Sequence, residues 1–162
     1  MIFWNSFLNS MKLPNKQAMF QLNRVGLDIA IFYILILLLI VSIPSLVDRL
    51  TDADGFGSDI NLIFTLIYFF IFYYLPLTVI VFAIISITAY LGKLISKILK
   101  RKLHYSLLWK MTAFTITIPF LLYTILAFLF SVTDIYLLFA FIYSFGLLCR
   151  MIFIYPKRRI RS

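Results

Sequence analysis

Glutamate is absent from this chain of 162 residues, so all six acidic side chains are aspartates. Cysteine and histidine occur once each, as Cys149 and His104. These scarcities exclude a good deal. A single cysteine forms no internal disulfide, and Cys149 sits in an apolar run where it reads as a small hydrophobe. A single histidine, set in a basic stretch far in sequence from Cys149, leaves no Cys–His pair and no Ser–His–Asp arrangement to assemble. No metal-ligand spacing occurs, and no cofactor is expected. Catalysis is therefore not the expected role.

Charge is scarce as well. Charged residues make up 13% of the chain and hydrophobic ones 64%, against about a quarter and about half in a soluble domain. Too little polar surface is present to cover such a core, so lipid must be the solvent for much of it. At about 20 residues per crossing, the length allows only a few spans in one domain. The fold class expected is all-α, a polytopic helical membrane protein. No cleavable leader is expected, because the first 28 residues lack a compact apolar core with a small-residue cleavage site.

What charge there is has one dominant sign, +9 net. The basic residues stand beside apolar runs, so membrane orientation and anionic lipid headgroups account for them better than nucleic acid does. Six of the fifteen Lys and Arg residues fall between Lys93 and Lys110. Such a loop stays on the cytoplasmic side, and its placement fixes the side of everything else.

Residues 1–28 form a mixed segment. Phe3, Trp4, Phe7, Leu8 and Met11 recur on one helical face, with Lys12, Lys16 and Arg24 nearby. That pattern suits an amphipathic segment in the headgroup region, or else a disordered cytoplasmic tail. Asp28 suits the start of a first span at about 29–47. The segment 48–59 carries four aspartates and one arginine. It reads as a solvated turn, because it lacks the bidentate glutamate that a calcium loop of the EF-hand type requires. The apolar stretch 60–92 is too long for one upright span and too short for two. With one helix crossing there, kinked at Pro76, the basic segments lie on one side and the acidic turn on the other. That division favours a single span. Two more spans follow, at about 109–131 and 135–155. The result is four spans (residues 29–162) with both termini cytoplasmic.

Two groups of residues stand out. Lys93, Lys97, Lys100, Arg101 and Lys102 fill the polar face of a helix whose other face carries Leu91, Leu94, Ile95 and Ile98, a basic surface for lipid or a partner. Thr112, Thr115, Thr117 and Pro119 punctuate the third span. Proline frees a carbonyl one turn earlier and threonine hydroxyls satisfy such groups, so the stretch suits helix packing or the lining of a path. Ser144 and Gly146 are candidate close contacts in the fourth span.

The stretches SFLNSMKLPNKQAMFQLNRVGLDIAIFYILIL and LISKILKRKLHYSLLWKMTAFTITIPFLLYTIL, with the Tyr105–Trp109 run and the threonines ending at Pro119, resemble a family of Firmicute membrane proteins known as domain of unknown function 1189. That family is similar to Yip-type membrane proteins, and some members are labelled as maltodextrin-utilisation proteins. The resemblance implies a bacterial cell-membrane protein, and it supplies no catalytic residues. Known members carry a larger extracytoplasmic domain between the first two spans, where this chain has about a dozen residues.

A carrier or proton pathway normally places ionisable residues inside its spans. The stretches 29–47, 60–92, 111–133 and 135–149 have none. The function expected is thus an accessory, scaffold or regulatory subunit, with a membrane-protein partner or a second copy of itself. The alternative is a small oligomeric transporter or channel component.

Overall fold

Three long helices and a fourth broken one account for most of the chain. The computed structural model describes residues 2–51, 62–130, 132–133 and 135–156. The acidic turn falls largely outside the described residues, as does the basic C-terminal run 157–162. Helix α1 is Ile2–Met11, α2 Lys16–Asn23 and α3 Leu27–Thr51. Then come α4 Leu62–Phe69, a π-helical turn Phe70–Tyr74 and α5 Leu75–Ile98, which join as one helix of 37 residues. Helices α6 Tyr105–Thr115 and α7 Thr117–Leu129 form a broken third span, and α8 is Ile135–Ile154. Four helical units are thus long and apolar enough to cross a membrane.

Helix α3 shows how the packing follows from the sequence. Its buried residues Ala30, Tyr33, Ile34, Leu37, Leu38 and Val41 recur at helical spacing and form one stripe. The opposite face, with Phe32, Ile36, Leu39 and Ile43, is equally apolar and exposed. A helix apolar all round is a membrane span or lies deep in a core, and the exposure here decides for the membrane.

The stretch 60–92 forms no hairpin where it is described. Pro76 carries no N–H and would clash with the carbonyl of Phe72 in a regular helix. The preceding turn widens instead, with the Leu75 N–H reaching the Phe70 carbonyl. A π turn inserts one residue and re-phases the faces. Tyr73 and Tyr74, neighbours in sequence, consequently both reach α3. The Tyr73 hydroxyl meets Ser45 Oγ at 2.8 Å, and the Tyr74 hydroxyl donates to the Leu35 carbonyl at 2.9 Å. Elsewhere this long helix is the least enclosed of the four spans.

Farther along, α5 turns a seam of Ile85, Thr88, Ala89, Gly92 and Ser96 toward α6 and α8. A methyl at Gly92 would stand 2.9 Å from Leu148 Cδ2, so this glycine sets the approach of α5 to α8. The close contact expected at Gly146 does not exist: nothing lies within 4 Å of where its Cβ would be. Gly146 sits on the exposed side of α8.

Helix α5 ends in a Schellman motif. The Arg101 N–H bonds the Ser96 carbonyl and the Lys100 N–H bonds the Lys97 carbonyl. Lys100 takes the left-handed conformation, φ 51°, that glycine usually supplies there.

Replacing Gly92 by leucine should destabilise the bundle by about 1–3 kcal/mol through overpacking. Gly146→Ala should be neutral or stabilising by up to about 1 kcal/mol. Thermal unfolding in detergent, read by circular dichroism, checks both. Equal losses at the two sites would contradict the assigned packing.

Candidate functional site

The threonine-rich stretch expected from the sequence is the place where the third span breaks. Helix α6 stops at Thr115, Ile116 forms a turn and α7 starts at Thr117. Pro119 lies in the first turn of α7, where its missing N–H is least costly. The hydroxyls deal with the carbonyls around the break. Thr112 Oγ1 donates to the Leu108 carbonyl at 2.9 Å, Thr115 Oγ1 to Thr112 at 2.7 Å and Thr117 Oγ1 to Phe114 at 2.9 Å. All three threonines are buried. The Pro119 carbonyl accepts the Tyr136 hydroxyl at 2.5 Å, which ties the start of α8 to α7.

Two different surroundings meet at this break. On one side Thr117 Oγ1 lies 2.8 Å from the Tyr33 hydroxyl, which lies 3.0 Å from Ser10 Oγ. This buried chain joins α7, α3 and α1, and Tyr33 packs its ring on Phe114 at 5.2 Å. Sequence reading missed it, because Ser10, Tyr33 and Thr117 are far apart in the chain and none stands out alone. On the other side, α5, the third span and α8 enclose an apolar groove of about 430 Å³. Ile85, Thr88, Thr112, Ile116, Phe141 and Ser144 are among its lining. Of the four residues singled out in this stretch, Thr112 alone lines the groove. Thr115, Thr117 and Pro119 are buried within the bundle. The Ser144 hydroxyl is buried without a partner.

The basic surface divides. Lys93, Lys97, Lys100 and Lys102 are exposed, on the end of α5 and the loop that follows. Arg101 is not a free surface charge. Its Nη1 donates to the Tyr155 carbonyl at the end of α8, while its Nε is buried without a partner. Burial pushes the neighbouring Tyr155 phenol above its ordinary range, so it stays neutral. Lys110, which the sequence marks only as part of the basic loop, does similar work. Its Nζ donates to the Asn23 and Val25 carbonyls at 2.9 and 2.6 Å. Cations at helix C-termini satisfy the last carbonyls and the dipole. The end of α2, the loop after α5 and the end of α8 therefore meet at one end of the bundle. His104 lies in this loop, exposed, as the residue before α6.

Among the described residues, no three His, Cys, Asp or Glu side chains converge as a metal site would need. Cys149 is half-buried in α8.

The model of a family described as "Protein of unknown function (DUF1189)" matches residues 56–152. The chain belongs to this family. The match takes in the long second span, the basic loop, the break and most of α8, and leaves α1, α2 and α3 outside it. No curated protein and no solved structure matches the chain.

Tyr33→Phe should cost about 0.5–1.5 kcal/mol, because it removes two interhelical contacts at once. Thr88→Val, whose hydroxyl serves only the Ile84 carbonyl of its own helix, should cost less. Unfolding curves of the two variants in detergent give the comparison.

Proposed function

We propose that this DUF1189 protein is a non-catalytic integral protein of a bacterial cytoplasmic membrane, acting as an accessory, scaffold or regulatory subunit of a membrane complex. The observation that carries the reading is the use made of polar groups. The four threonines of the third span all return their hydroxyls to backbone carbonyls of that span. Tyr33, Tyr73, Tyr74 and Tyr136 bond neighbouring helices. A site built for chemistry or for coordinating an ion keeps such groups free.

In this reading the end of the bundle holding Lys93, Lys97, Lys100 and Lys102 is cytoplasmic, and so is the C-terminus. Lys12, Lys16 and Arg24 of the segment 1–28 join that end, with α2 at headgroup level. The exposed lysines face anionic lipid headgroups or an acidic surface of a membrane-protein partner, which includes a second copy of the chain. The break in the third span stiffens the bundle as a packing joint.

The groove between α5, the third span and α8 supports a second reading, a component of a small oligomeric transporter or channel. Thr88, Thr112 and Ser144 would then line a path completed by another copy.

Crosslinking in intact membranes, followed by purification and mass spectrometry, decides between them. A stoichiometric partner whose yield falls several-fold when Lys93, Lys97, Lys100 and Lys102 are replaced by glutamine is the expected result. Crosslinks only between copies, together with solute flux through liposomes holding the pure protein, would replace the first reading by the second. Arg101 is kept intact in this variant, because losing its bond to Tyr155 would disturb the fold.

A further inference from the structure

We infer that α1 is a half-membrane helix, inserted into the hydrocarbon beside the first and third spans, with its outer face against lipid acyl chains. The inference rests on the membrane reading above and goes beyond it. From the sequence, this segment would lie flat among the headgroups.

The first observation is that α1 is inside-out for a helix in water. Its buried side chains are the serines Ser6 and Ser10, whereas Ile2, Phe3, Trp4, Leu8 and Met11 are exposed. Trp4 shows 65% of its surface. Asn5 is the one polar residue on that exposed side. A water-facing helix buries its apolar face and exposes its polar one. The reverse arrangement fits a solvent of hydrocarbon, with the hydroxyls satisfied inside: Ser6 donates to the Ile2 carbonyl and Ser10 to Phe7.

The second observation is depth. Helix α1 packs on α7, the half of the third span beyond the break, as well as on α2 and α6. Its contact at Ser10 runs through Tyr33 to Thr117. Thr117 is seven residues beyond Lys110, which holds the end of α2, roughly 10 Å along the helix and about a third of a 30 Å hydrocarbon layer. Toward its other end, Phe3, Trp4 and Phe7 share an apolar hollow with Ile36, Leu37, Ile40 and Leu121. Ile40 is thirteen residues from Leu27, about 20 Å along α3. The Trp4 end of α1 therefore lies deeper than its Met11 end. Lys12 follows at once and returns the chain to headgroup level, where Lys16 stands and Lys110 holds the end of α2.

The third observation is continuity. At the level of Phe3 and Trp4, α3 exposes Ile36 and Leu39. These belong to the lipid-facing band of a span, and the outer face of α1 extends the same band.

Trp4 is its own depth gauge. The full-length protein and a Trp4→Phe variant are reconstituted in phosphatidylcholine vesicles whose acyl chains carry bromine either near the glycerol end or near the middle. Substitution at an exposed position leaves the fold intact, and the variant supplies the Trp109 background to subtract. Expected is a loss of most Trp4 emission with mid-chain bromine, less with shallow bromine, and little quenching by aqueous acrylamide. Strongest quenching by shallow bromine or by acrylamide would overturn the half-membrane helix and leave the four spans standing. Failure of the protein to float with the vesicles would overturn both the inference and the membrane reading.

Discussion

The absence of water in a bilayer core governs this structure more than any single contact. A backbone or hydroxyl group there must find its partner in the protein. Two kinds of side chain divide the task. Short hydroxyls, those of Ser42, Thr78, Thr88, Thr112, Thr115 and Thr124, donate to carbonyls three or four residues back in their own helix. They reach no farther, so they satisfy themselves without joining helices. The long, rigid aromatic side chains do the joining. Tyr33 reaches Ser10 and Thr117, Tyr73 reaches Ser45, Tyr74 reaches Leu35, Trp109 reaches Ser86 and Tyr136 reaches Pro119. An aromatic ring crosses the gap between helices with few rotamers to lose and buries apolar area on the way. The tyrosine count, ten in this chain, thus reflects bonds between helices as much as interfacial anchoring.

Basic residues do two jobs that composition cannot separate. Orientation needs positive charge on one side, without regard to geometry. Helix ends need donors at their last carbonyls, with strict geometry. Arg101 and Lys110 meet the second need by holding the ends of α8 and α2. The side chains of Lys93, Lys97, Lys100 and Lys102 hold no helix end among the described residues and remain exposed. Lys100 also occupies the left-handed position of the α5 cap. A lysine there accepts backbone strain that glycine would avoid.

The sequence revealed the crossings and concealed the contacts. Four spans were legible because apolar runs of span length have few other uses. The unity of the stretch now seen as Leu62–Ile98 was legible only through charge, since hydropathy alone allowed a hairpin. The disturbance at Pro119 was legible because proline has a local effect. Its form, a break after Thr115, depends on Tyr33 and Phe114 packing beside it, and those meet only in three dimensions. The same holds for Gly92 and Gly146: both are glycines in apolar helices, and only the approach of Leu148 tells them apart. The depth of α1 was hidden for a related reason. An amphipathic pattern records that a helix has two faces, but not which solvent meets the apolar one.

Three prolines in spans are accommodated in three ways, and the comparison bears on function. Helix α3 runs on through Pro44, the helix before Pro76 widens into a π turn, and the third span breaks before Pro119. Breaks in transporter helices commonly expose helix ends and carbonyls to substrate. At Ile116 several carbonyls are taken: Phe114 accepts from Thr117, Thr112 accepts from Thr115, and the α7 helix resumes with the Phe120 N–H on the Ile116 carbonyl. Thr117 also bonds Tyr33, so opening the break to a solute would break contacts on three helices together. With these bonds in place the break behaves as a joint that fixes the angle between two half-helices, which agrees with the scaffold role proposed for the protein.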